Sequence, residues 1–168
     1  MQIGIQKRGQ VAWVQQKTIW QALFQIVPDF EDDTTVVLIM PGYDQLRFGE
    51  HPPLYAEWEV DHGLRVLYEN DSLIGRILFP DADFYSEATF TSTEVMGARP
   101  WNKTAYESAV FLLYRPSNGK LKIVDDLNME LGLPFSVSSY DPTSRIITTP
   151  KTTWRYRYLV NNEVELTP

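Results

Sequence analysis

Residues Thr34 to Met40 read Thr-Thr-Val-Val-Leu-Ile-Met, and the four consecutive large aliphatics from Val36 to Ile39 leave no polar side for water. A strand of this kind is covered on both faces, so helices are expected to pack over it. Burial of each such side chain contributes about 1.5–3 kcal/mol, more than any other local feature of the chain. The run lies between a segment ending at Val27-Pro28 and a turn at Pro41-Gly42, which set its limits.

The flanking sequence alternates in type. Gln10 to Val27 has apolar residues Trp13, Trp20, Leu23, Phe24 and Val27 at helical spacing, with Gln15, Gln16, Gln21 and Gln25 on other faces. Pro28 stops this helix, and Asp29-Phe30-Glu31-Asp32-Asp33 connects it to the central strand. A polar loop from Pro41 to Pro53 precedes a second helix, Leu54 to Tyr68, which Gly63 weakens by about 1 kcal/mol relative to alanine. Leu73 to Phe79 is a second strand ending at Pro80, so the order helix, strand, helix, strand predicts parallel neighbours joined by a right-handed crossover. Beyond Pro80 the pattern becomes strand-rich. Tyr85 to Val95 and Ala105 to Tyr114 read as strands, separated by a loop from Gly97 to Lys103. Pro116-Ser117-Asn118-Gly119 is a hairpin turn into Lys120–Val124, followed by one or two helical turns between Asp125 and Leu133. Trp154 to Val160 alternates aromatic and basic residues as a strand with Trp154, Tyr156 and Tyr158 on one side, and the tail after Asn161 frays. The expected fold is one α/β domain over residues 1–168, with a mixed sheet of parallel core and antiparallel extension covered by two main helices.

Charge and composition exclude several functions. Net charge is −7 and no cluster of Lys and Arg is present, so nucleic acid and anionic membrane surfaces are poor partners. The chain has no cysteine, which removes disulfides, thiolate metal sites and cysteine nucleophiles. No run approaches the length of a membrane span, and the first residues lack the basic-then-apolar order of a signal peptide, so the chain as it stands is expected to be soluble.

Candidate chemistry is sparse. Asp81-Ala82-Asp83 follows a hydrophobic strand, as in the Asp-x-Asp that holds a divalent cation in nucleotide-sugar glycosyltransferases, but the same residues beside Pro80 also make a turn. His51 and His62 are 11 residues apart, which fits no common zinc spacing, and no Gly-x-Ser-x-Gly elbow supplies a nucleophile. Glu57, Glu59 and Asp61 read as a solvated helix face. Asp125-Asp126 stands at a strand end, where α/β sheets gather ligands, and equally fits a helix N-cap. Trp58, Trp101 and Tyr43 lie in or near loops and suit stacking on sugar rings or a partner surface. Asn102-Lys103-Thr104 matches the glycosylation triplet, a pattern common by chance.

One segment carries a resemblance. Trp13-x-x-Gln16-Lys17-x-x-Trp20-x-x-Leu23, then Pro28, an acidic linker and Asp33-Thr34-Thr35-Val36-Val37-Leu38, resembles a segment of large bacterial integral-membrane proteins. There, a Trp-x-x-Gln-basic-x-x-Trp helix ends in a proline and leads into a Thr-rich aliphatic strand that opens a soluble domain of unassigned function. Leu67-Tyr68, Ala109–Tyr114 and Leu121-Lys122-Ile123-Val124-Asp125 are similar to that domain's later landmarks, extending the resemblance over residues 10–130. Ile26-Val27 stands where those proteins often have Arg-Ala, and Asp33 where they have a small residue. Some of their membrane regions look like lipid-linked-sugar glycosyltransferases. The resemblance therefore implies a non-catalytic soluble domain, a fragment of a larger membrane protein handling cell-envelope glycans on the extracytoplasmic face. Its implied partners are the membrane-embedded remainder of the same polypeptide and a glycan or small ligand, with no resident cofactor. Two other readings stay open: a transferase using a divalent cation at Asp81 and Asp83, and a free-standing protein-interaction module.

Overall fold

The aliphatic run is the centre of a four-stranded sheet. The computed structural model describes residues 2–41, 54, 56–80, 88–96, 103–137 and 139–149, with side chains from Val14 onward. In chain order the elements are α1 (Gln2–Ile26), β1 (Asp29–Phe30), β2 (Thr35–Ile39), α2 (Glu57–Tyr68), β3 (Ile74–Leu78), β4 (Thr89–Phe90), β5 (Glu94–Met96), β6 (Thr104–Ala105), β7 (Ala109–Arg115), β8 (Lys120–Ile123), α3 (Leu127–Leu131) and β9 (Ile146–Ile147). Short 3₁₀ turns at Tyr106–Ser108 and Pro142–Arg145 precede β7 and β9.

The main sheet has the order β3-β2-β7-β8. β2 is parallel to both neighbours, with Leu38 opposite Ile77 on one side and Leu112 on the other, and β8 returns antiparallel to β7. The mixed sheet with a parallel core and an antiparallel extension is thus present, and the Asn118-Gly119 turn makes the hairpin, with Gly119 at φ 65°. β3 and β7 flank β2 on opposite sides. The connection from β2 to β3 carries α2 over one face, whereas Phe90, Val95 and Tyr106, on the connection from β3 to β7, pack on the other. A reversal of direction combined with a change of face gives both crossovers the same hand, as strand twist requires.

All five residues of β2 are buried, because each face has its own cover. Val36 and Leu38, with Val110 and Leu112, receive Ile19, Leu23 and Phe24 of α1 and Val60, Leu64 and Leu67 of α2. Val37, Ile39, Phe111 and Leu113 face the other way, against Val95, Tyr106 and Leu127, with Val137 and Tyr140 alongside. Both long helices therefore lie on one face. The second face is closed by the three-stranded β4-β5-β6 sheet, α3 and the irregular chain at 133–137 with Tyr140.

Several local readings change. α1 starts at Gln2 rather than Gln10, and α2 starts at Glu57, leaving Leu54 buried ahead of it. Tyr85–Val95 is not one strand: the described part folds back at Thr91–Thr93, whose hydroxyl at Thr91 accepts from Glu94 N–H at 3.1 Å, so β4 pairs with β5. Ala105–Tyr114 is broken by the turn at Tyr106–Ser108 before β7 begins. The acidic connection contains β1, which pairs with β9 through Phe30 and Ile146. The strand expected at 154–160 and the tail beyond Asn161 lie outside the described residues.

Two glycines set how α2 sits. A methyl group on Gly75 of β3 would fall 2.4 Å from Asp61 N and 2.6 Å from the Val60 carbonyl carbon, so the helix backbone rests directly on the strand. A methyl on Gly63 would fall 2.7 Å from Cζ2 of Trp20, so α1 crosses α2 where the latter has no side chain. The helical weakness at Gly63 thus makes room for the Trp20 ring.

Candidate functional site

β2 and β3 end side by side, with Met40 N–H donating to Leu78 O at 2.9 Å. Winding reverses between β2 and β7, and in open α/β sheets ligands collect at the carboxyl ends of strands beside such a reversal; β3 lies one strand away on the same carboxyl edge. The segments leaving this edge carry Tyr43 and His51 after Pro41, and Asp81 and Asp83 after Pro80; all four residues lie outside the described residues, as does Trp101. Among the described residues no group of three or more His, Asp or Glu is placed to hold a metal ion.

Asp125 is exposed, and its neighbour Asp126 is the N-cap of α3, accepting from Asn128 N–H at 2.8 Å and Met129 N–H at 3.1 Å. This pair starts a helix. Glu57, Glu59 and Asp61 do not form a solvated face. The Glu59 carboxylate accepts from Ala56 N–H at 3.0 Å at the entry to α2. Asp61 Oδ1 accepts from Gly75 N–H at 2.8 Å, and its Oδ2 pairs with Arg65 at 3.1 Å. Asp61 therefore covers an outward N–H of edge strand β3 while tying it to α2.

Among the described aromatic candidates, Trp58 stands on the surface. It is 64% exposed in the first turn of α2, inside the helix expected over Leu54–Tyr68. His62 lies one turn on; its Nδ1 donates to the Trp58 carbonyl at 2.9 Å, and its ring meets the indole edge-on at 6.4 Å. Val66 follows at the same spacing and is 50% exposed. Residues at i, i+4 and i+8 share a helix face, and this one is opposite Val60, Leu64 and Leu67. The spacing was available in the sequence, but only the burial of the opposite side shows that Trp58 and Val66 face water.

The strongly perturbed groups are structural. Tyr106 is fully buried, donates to Thr91 O at 2.8 Å, and is pushed up to about 12 by burial, with Glu94 adding to the rise. Burial also raises Tyr140, whose hydroxyl accepts from Phe111 N–H at 3.2 Å and donates to Val124 O at 2.7 Å, bridging the last rung between β7 and β8. Between α1, α2 and the sheet is an apolar void of about 10 Å³ lined by residues including Ile19, Leu23, Val36 and Leu112, no larger than a single water requires. No helix among the described residues is long and apolar enough to cross a membrane. Comparison of the sequence with protein-family models and curated proteins, and of the fold with solved structures, finds no match.

Proposed function

We propose that the chain is a non-catalytic domain of a larger cell-envelope membrane protein, and that it docks on that protein through the outward face of α2. The observation that carries this reading is the exposed line Trp58–His62–Val66, set opposite the helix's buried side. Tryptophan is the side chain most enriched among residues that dominate docking energetics, and covering it removes a large apolar area from water. The resemblance over residues 10–130 supplies the partner, the membrane-embedded remainder of the same polypeptide, and with it the link to envelope glycans on the extracytoplasmic side.

The gene should then encode several hydrophobic spans in frame with these residues. The detergent-solubilised membrane region should co-purify with the chain supplied in trans, and Trp58→Ala with Val66→Ser should abolish that association. A gene without spans, or undiminished association of the double variant, defeats the reading; the former leaves the free-standing interaction module in its place.

A second reading, transfer of a glycosyl or phosphoryl group with a divalent cation held by Asp81 and Asp83, is favoured by the sheet. β3 delivers the chain at Pro80 to the carboxyl edge of the parallel strands, one strand from the winding reversal between β2 and β7. Calorimetry with manganese or magnesium and a panel of nucleotide sugars should give heat that Asp81→Ala removes. Absence of heat with the native chain ends this reading.

A further inference from the structure

We infer that the partner surface met by α2 is cationic: a polypeptide segment carrying Lys or Arg beside apolar side chains. The inference rests on the docking reading above and adds the chemistry of the occupant. The exposed line on α2 runs from Trp58 through His62 and Val66 to Glu69, which continues the same helical face and caps the helix at φ 48°. There it meets a second acidic loop. Asn70 Nδ2 donates to Asp32 Oδ1 at 3.0 Å, Asp33 N–H donates to Ser72 Oγ at 2.8 Å, and Ser72 Oγ donates to Asn70 Oδ1 at 2.7 Å. These bonds join the 31–33 and 69–72 loops, which carry Glu31, Asp32, Asp33, Glu69 and Asp71, all five exposed, at the end of the apolar line.

No Lys, Arg or His occurs between residues 27 and 38 or between 66 and 75. Among the described residues Arg65 is paired with Asp61, the Arg145 guanidinium donates to the Glu107 backbone O at 2.9 Å, and no ion pair involves these five carboxylates. An aromatic and aliphatic strip bordered by carboxylates that no described cation pairs with complements a segment that is apolar and basic, and repels an acidic one. Trp58 adds to the match, since an exposed indole face attracts Lys and Arg side chains.

The test uses the 168-residue chain and a fluorescein-labelled amphipathic peptide of Lys and Leu, with its Glu and Leu counterpart as control, read by anisotropy. The Lys/Leu peptide should bind, with affinity falling about tenfold from low salt to about 0.3 M salt. Glu31→Gln, Asp33→Asn, Glu69→Gln and Asp71→Asn combined should weaken it about tenfold, as should Trp58→Ala alone. Glu107→Gln with Asp125→Asn, the same kind of change on the second face, should leave it unaltered. No binding of the Lys/Leu peptide, equal weakening by both sets of charge variants, or equal binding of the Glu/Leu peptide overturns the cationic partner. If Trp58→Ala still weakens binding in the last case, docking through α2 stands without it, whereas Trp58→Ala with no effect removes both. A dimer in sedimentation equilibrium that Trp58→Ala dissociates replaces the cationic partner with a second copy of the chain.

Discussion

Two residues whose chemistry is ordinary in the sequence fix the sheet to its covers. Gly75 lies where β3 touches the α2 backbone, so that a methyl carbon at this position would stand only 2.4 Å from Asp61 N. Main-chain atoms give way less readily than side-chain ends, so Gly75→Ala should lower stability by about 3 kcal/mol, read as a shift in the urea midpoint. Tyr140 supplies one hydroxyl to both Phe111 N–H and Val124 O. Tyr140→Phe keeps the ring, which stacks edge-on against Phe111 at 5.4 Å, but strands two backbone groups. A loss of about 1–3 kcal/mol is expected, with faster hydrogen exchange at the Phe111 amide. Neither role was legible in the sequence: Gly75 reads as a weak spot in a strand, and Tyr140 finds its partners 16 and 29 residues away. Trp58 was legible as a candidate within the expected second helix, but its outward direction was not, because an apolar residue at helical spacing looks alike on either side of a helix.

Elements with strong local signals match their expected positions closely. β2 and β3 lie within the predicted Thr34–Met40 and Leu73–Phe79, and the Pro116–Gly119 turn is a hairpin. Continuous aliphatics and Asn-Gly chemistry act over a few residues, so no distant contact is needed to specify them. The two-residue strands β1, β4, β6 and β9 are different. Such strands exist only through their partners, and no period runs through Asp29-Phe30 to announce pairing with Ile146-Ile147. The end of α2 offers a test at this scale. Glu69 takes a left-handed conformation, φ 48°, ψ 41°, that glycine adopts without steric penalty. Glu69→Gly should therefore raise the thermal midpoint, by the equivalent of about 0.5 kcal/mol once the greater freedom of unfolded glycine is discounted.

For the whole molecule, the α/β class and the mixed sheet were legible because parallel and antiparallel strands differ in pattern: β2 is buried along its length, whereas β8 alternates Lys120 and Lys122 with Leu121 and Ile123. The placement of both helices on one face was not, since amphipathicity says that a helix covers something without saying which side. The same architecture sets an alkaline limit. Burial raises Tyr106 to about 12, and raises Tyr114 and Tyr140 as well. Between about pH 10, where an unfolded tyrosine ionises, and about pH 12, the unfolded chain holds fewer protons than the native one, so stability falls as pH rises. Below that window their contribution is complete. Urea midpoints should be level from neutral pH to about pH 9 and drop steeply above about pH 10, in step with tyrosinate absorbance.

The sheet has rods on one side and a patchwork on the other, and the two sides should yield in sequence. Peeling α1 or α2 away exposes a continuous hydrocarbon surface, whereas the 133–137 strap is held to α3 at separate points by Asn128. Partial opening should therefore begin at the strap. Limited proteolysis under native conditions should nick between Gly132 and Val137 while α2 is still intact, leaving a helix-backed sheet that retains most of its circular dichroism.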